Sequence, residues 1–245
     1  MKKKIIIIFN FLEIAFTIIG TIIMMNNAES ATGLTASGLQ NLKFFTVLSN
    51  EFCGIVAFLF LTKVFTKIRK ESNNNINLKN GSGDSILKDS DIKNNMTESG
   101  EKAPYLFLKY LSATAVGLTF LIIAAFLGPL YGHANLYQGS NLYFHLILPL
   151  VAMVEFVFLD SGQDGIRFKT TFLTIIPTFL YGIVYLINIL INGVGVWPDT
   201  NDWYGFVNWG LPVGIAIFSM ILFMTWLIAL ILRFLNKIIT RVISK

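Results

Sequence analysis

Cysteine, histidine and charge are all scarce in this chain, and each scarcity closes a class of chemistry. Cys53 is the single cysteine among 245 residues, so no internal disulfide can form. One cysteine and two histidines cannot supply a tetrahedral metal site unaided, so no metal and no cofactor is expected. Cys53 itself reads as a small buried packing residue. Charged residues make up only 13% of the chain, against roughly 25% in an average soluble domain. Hydrophobic residues make up 54%, more than a soluble fold of this length can hide, which points to bilayer as the solvent. The net charge of +5 does not indicate a nucleic-acid partner, because the basic residues fall between and beyond the apolar stretches.

Those stretches number six, at about 5–25, 42–65, 104–127, 142–160, 171–191 and 209–235. Each approaches or exceeds the ~20 residues that cross a hydrocarbon core. They are long and continuous, unlike the ten-residue alternating segments of a β-barrel. The expected fold is therefore an all-α, polytopic membrane protein, a single six-helix transmembrane bundle.

Lys and Arg set the expected orientation. Lys2, Lys3 and Lys4 precede the first run, and seven basic residues from Lys67 to Lys102 fill the second connection. Arg167 and Lys169 lie between the fourth and fifth runs; Arg233, Lys237, Arg241 and Lys245 close the chain. Segments 26–41, 128–141 and 192–208 contain no Lys or Arg. This alternation places both termini in the cytoplasm. The Lys-rich start near Ala28 and Ala31 is read as a span and not as a cleaved signal, since the run is long and Glu13 interrupts it. Segment 71–102, rich in Asn, Ser, Gly, Lys and Asp, reads as a disordered cytoplasmic loop. The aromatic stretch Trp197, Trp203, Tyr204 and Phe206 suits a membrane interface, folded over the outer mouth of the bundle.

Polar residues inside the spans mark candidate function, because an ionised group at a span centre costs at least ~2.5 kcal/mol. On the second span Thr46, Ser49, Asn50, Cys53, Gly54 and Ala57 form one stripe, of which Ser49, Gly54 and Ala57 read as packing. At ~1.5 Å per residue Thr46 lies ~6 Å below the outer end of its span and His145 ~4–5 Å below that of the fourth. A hydroxyl and a neutral imidazole at common depth are the parts of an activated nucleophile, although spacing alone favours a hydrogen-bonded structural histidine. On the fifth span Pro177, Thr178, Tyr181, Tyr185, Asn188 and Asn192 share one face. Asn188 and Asn192 reach the depth of Thr46 and His145, where they would donate to an oxyanion or orient the imidazole, or simply bond between helices. Glu13 and Glu51 fall near the midplane, expected protonated or sharing a proton, and Glu155 lies level with Lys109, giving an expected structural ion pair. The three carboxylates also fit a small proton-coupled carrier, though no inverted repeat or pair of broken helices accompanies them. A third alternative is a silent scaffold in which every polar stripe is packing.

The run Phe44-Phe45-Thr46-Val47-Leu48-Ser49-Asn50 resembles the Phe-Thr-x-x-Ser/Thr-Asn signature of the androgen-induced-gene-like six-span proteins. So does Asn141–Pro149, with His145 four residues before Pro149 and Glu155 beyond it. Pro177, Tyr181, Tyr185 and the aromatic 197–206 loop are similar to the later part of that family, so the resemblance covers about residues 5–235. It implies an intramembrane threonine hydrolase of fatty-acid esters of hydroxy fatty acids. Thr46 would be its nucleophile and His145 its base. By their positions on the spans, Ser49, Asn50, Tyr185, Asn188 and Asn192 are the candidate binding or orienting residues. Membrane lipid would be both solvent and substrate. Segment 71–102 is longer than that family leads one to expect. The Asn-, Lys- and Ile-rich composition points to a bacterial plasma membrane.

Overall fold

A computed structural model describes residues 2–26, 38–80, 89–159, 166–196 and 199–243. These residues are helical and connecting segments, with no strand among them. Six helices are long and apolar enough to cross a membrane: Lys4–Asn26, Phe45–Lys70, Pro104–Tyr131, Ser140–Phe158, Thr170–Asn192 and Leu211–Val242. They coincide with the six apolar runs to within a few residues, save at the C-terminal ends of the second, third and sixth, where the helix continues further. Large apolar side chains such as Ile8, Phe58, Val184, Leu190 and Phe234 are exposed on their outer faces, in keeping with helices able to cross a membrane.

Segment 71–102 lies partly outside the described residues. The second helix runs on to Asn80 and the third begins at Asp89, while 81–88 lie outside the described residues. Trp197 and Asp160 also lie outside the described residues.

The first four spans pack on one another, and the sixth closes against the third and fourth. Tyr110 stacks on Phe156 at 4.9 Å and donates its hydroxyl proton to the Ala229 carbonyl at 2.7 Å, tying the third, fourth and sixth spans together. Asn236 donates to the Phe156 and Leu159 carbonyls, both at 2.9 Å, capping the end of the fourth span. The first and second spans approach closely at Gly54, where a Cβ would stand 2.6 Å from Thr17 Oγ1. The fifth span rests mainly on the sixth and leaves a gap toward the second and third.

Proline shapes two spans. In each, one turn widens to π geometry, at Ile123–Leu127 and Tyr143–Ile147, with Pro129 and Pro149 two residues beyond. In both, the first turn bond runs five residues, from Gly128 N–H to Ile123 O and from Leu148 N–H to Tyr143 O. The next N–H in each series belongs to the proline and does not exist, which orphans the carbonyls of Ala124 and Phe144. Side chains replace the missing donors. His133 Nε2 lies 3.0 Å from Ala124 O, and Asn50 Nδ2 donates to Phe144 O at 3.0 Å.

Candidate functional site

A cavity of about 380 Å³ fills the gap between the second, third, fifth and sixth spans. That volume falls within the ~300–1,000 Å³ range of small-molecule sites. Its wall is almost wholly apolar; Thr46, Thr119, Thr178 and the tyrosines Tyr181, Tyr185 and Tyr204 are the hydroxyl-bearing residues that line it. Thr178 is 3% exposed and its Oγ1 has no hydrogen-bond partner, so a buried donor stands unused at the cavity wall.

Thr46 sits in the first turn of the second helix, where backbone N–H groups lack intrahelical partners. One of these is satisfied across the cavity mouth: Phe45 N–H donates to Tyr204 OH at 2.9 Å. Burial pushes the Tyr204 phenol above its usual range, so it remains a neutral hydroxyl. The carbonyl of Thr46 accepts from Asn50 Nδ2 at 2.6 Å and from Ser49 Oγ at 3.0 Å. Ser49 Oγ also lies 3.2 Å from Thr119 Oγ1, linking the second and third spans behind the cavity wall.

His145 lies in the π turn of the fourth span, buried, and is not part of the cavity wall. Its Nδ1 lies 2.8 Å from the Leu136 carbonyl. A carbonyl only accepts, so Nδ1 carries the proton and the neutral ring keeps its lone pair on Nε2. No hydrogen bond joins His145 to Thr46 among the described residues. The connection is indirect: Asn50 donates one N–H to Thr46 O and the other to Phe144 O, the residue before His145.

The expected polar stripe of the fifth span divides. Tyr185, 6% exposed, donates to Asp202 Oδ1, and Tyr181 donates to the Lys43 carbonyl at 2.6 Å. Both also line the cavity. Asn188 and Asn192 do not. Asn192 Nδ2 donates to Asn188 Oδ1 at 2.9 Å, and Asn188 in turn faces Asn201 of the following loop. Their hydrogen bonds run to one another and to that loop; a helical face continues past the cavity, and counting residues gives depth without the point at which the cavity ends. Asp202 is the anchor that sequence reasoning missed. It is 3% exposed, accepts from Tyr185, and takes the N–H groups of Phe206 at 2.9 Å and Val207 at 3.0 Å. The only sequence signal was an acidic residue amid aromatics.

The acidic residues also regroup. Lys109 Nζ lies 3.0 Å from Glu155 Oε2, and 2.6 Å from Glu13 Oε2, so Glu13 is a third member of this buried group. Glu51 is half-buried, hydrogen bonded to Thr21 and not grouped with Glu13. The long Lys109 stem explains the difference, since it reaches toward a carboxylate set at another depth. Among the described residues no His, Cys, Asp and Glu side chains assemble into a metal-binding cluster.

The architecture defines a class, an all-helical chain with six helices able to cross a membrane and an apolar cavity among four of them. No protein-family model, no curated protein and no solved structure matches the chain.

Proposed function

We propose that the protein is an intramembrane hydrolase or acyl-transfer enzyme that takes a lipid ester into the apolar cavity and cleaves it at Thr46. The observation that carries this reading is Thr46 in the lining of a mostly apolar cavity large enough for an acyl chain. Thr178, whose buried hydroxyl has no hydrogen-bond partner, lines the same cavity. In the proposed reaction Thr46 Oγ1 attacks the ester carbonyl and its proton passes to His145 Nε2. The tetrahedral intermediate collapses, the alcohol leaves with that proton, and water, deprotonated by the same nitrogen, releases the acid from acyl-Thr46. The bond from Nδ1 to Leu136 O supports this role, because it fixes the tautomer whose Nε2 can accept a proton. Nucleophile–base distances are commonly long without substrate, and Asn50 links the two turns that would close on each other.

The orientation that accompanies this reading has both termini in the cytoplasm of a bacterial plasma membrane, with the cavity toward the outer leaflet. Basic residues on alternate connections support it. A carrier built on a chain of carboxylates is less well supported, since Glu13 and Glu155 are both held by Lys109 while Glu51 stands apart. The test is labelling of detergent-purified protein with a fluorophosphonate hydrolase probe. Wild type is expected to label, and Thr46→Ala and His145→Ala are each expected to abolish labelling while eluting as folded protein. Full labelling of either variant contradicts the mechanism.

A further inference from the structure

The Glu13–Lys109–Glu155 group lies away from the cavity and plays no part in the proposed reaction. Its charge does not balance. Two carboxylates face one ammonium, and all three side chains are at most 2% exposed. A surplus negative charge sealed from water is costly unless something neutralises it.

The neighbouring donors can be accounted for one by one. Lys109 gives its short bond to Glu13 Oε2 at 2.6 Å. Asn10 of the first span spends one N–H on Glu155 Oε1 at 2.6 Å and the other on the Ile6 carbonyl at 2.8 Å. Ser112 spends its hydroxyl proton on the Lys109 carbonyl at 3.1 Å. The second span contributes the buried Cys53 and the Phe60 ring, 5.9 Å from Lys109 Nζ. Arg233 of the sixth span is turned away, donating to the Ile166 carbonyl and lying over Phe168. After this accounting Glu155 Oε2 is left buried within ion-pair distance of Lys109 but with no hydrogen bond. Glu13 Oε2 and Glu155 Oε2 lie 2.6 Å and 3.0 Å from the same Lys109 Nζ, so the two carboxyl groups converge on one ammonium.

We propose that Glu13 and Glu155 together bind one proton, carried on Glu13 and donated to Glu155 Oε2, so that the group with Lys109 is neutral. One added proton then answers both observations, the surplus charge and the orphaned oxygen. The site joins the first, third and fourth spans, and its ligand is the proton itself. This inference is independent of any chemistry at Thr46.

Infrared spectroscopy of the full-length protein in nanodiscs tests it. A protonated buried carboxyl has a C=O stretch apart from the carboxylate bands, and that stretch shifts in heavy water. At neutral pH the wild type is expected to show this band. Glu13→Gln and Glu155→Gln are each expected to lose it, because one carboxylate then balances one ammonium with no added proton. Glu13→Gln should fold normally, since its amide can donate to Glu155 Oε2 as the proton did; a retained thermal midpoint checks that. Glu51→Gln, outside the group, should leave the band in place. Folded wild type without the band overturns the proposal. So does a band that survives both substitutions at 13 and 155, or one that only Glu51→Gln removes.

Discussion

Lys109 shows how much a single residue carries in this bundle. Its ammonium contacts two carboxylates on two other spans, and its ring neighbour Phe60 adds a third contact. Removing one member of a buried ionic group leaves its partners uncompensated, at a cost of about 3–5 kcal/mol. Lys109→Met is therefore expected to lose that much stability in a reversible unfolding titration in detergent micelles. A variant as stable as wild type would mean the ammonium contributes no net stabilisation. Asn50 acts through geometry and not charge. It exists as a donor to Phe144 O because Pro149 cannot be one, and the same side chain holds Thr46 O. The sequence offers both Asn50 and Pro149 as isolated polar and helix-breaking residues; only the widened turn between them shows that one completes the other.

At the scale of elements, run length and loop charge are local properties, so the six spans are legible from composition alone. Depth along a helix is also legible, since each residue adds a fixed rise. Rotation about the axis and the identity of neighbours are not. That is why the sequence places Thr46 and His145 at one level yet does not reveal that Thr46 lines the cavity while His145 bonds to Leu136. The same limit separates Glu51 from Glu13 and turns Asn188 and Asn192 toward each other and the following loop. Close packing is better marked by small residues. Gly54 stands where a side chain would overlap Thr17, so Gly54→Val should force the first two spans apart. Overpacking of this kind costs about 1–3 kcal/mol, which the same unfolding titration would register. No loss of stability would mean the spans are less tightly apposed than the Gly54–Thr17 contact indicates.

At the scale of the molecule, the fifth span and the aromatic loop after it determine whether the bundle is solid or hollow. Tyr204, Tyr181 and Asp202 fix that loop over the start of the second helix, and the space beneath it remains open to an apolar guest. Orientation is testable in the same molecule, because its single cysteine is fully buried and should give no background. Val196→Cys, on an exposed loop position, is expected to react with an impermeant maleimide on intact cells; Lys169→Cys is expected to react only after permeabilisation. The opposite pattern would invert the bundle and move the cavity to the inner leaflet.

The most direct measurement is to locate the covalent adduct formed by the fluorophosphonate probe, by tandem mass spectrometry of the digested, labelled protein. The account predicts a single modified peptide with the adduct on Thr46, absent when His145 is replaced by Ala. A folded protein that takes no label, or an adduct on Ser49, Thr119 or Thr178 in place of Thr46, would contradict it.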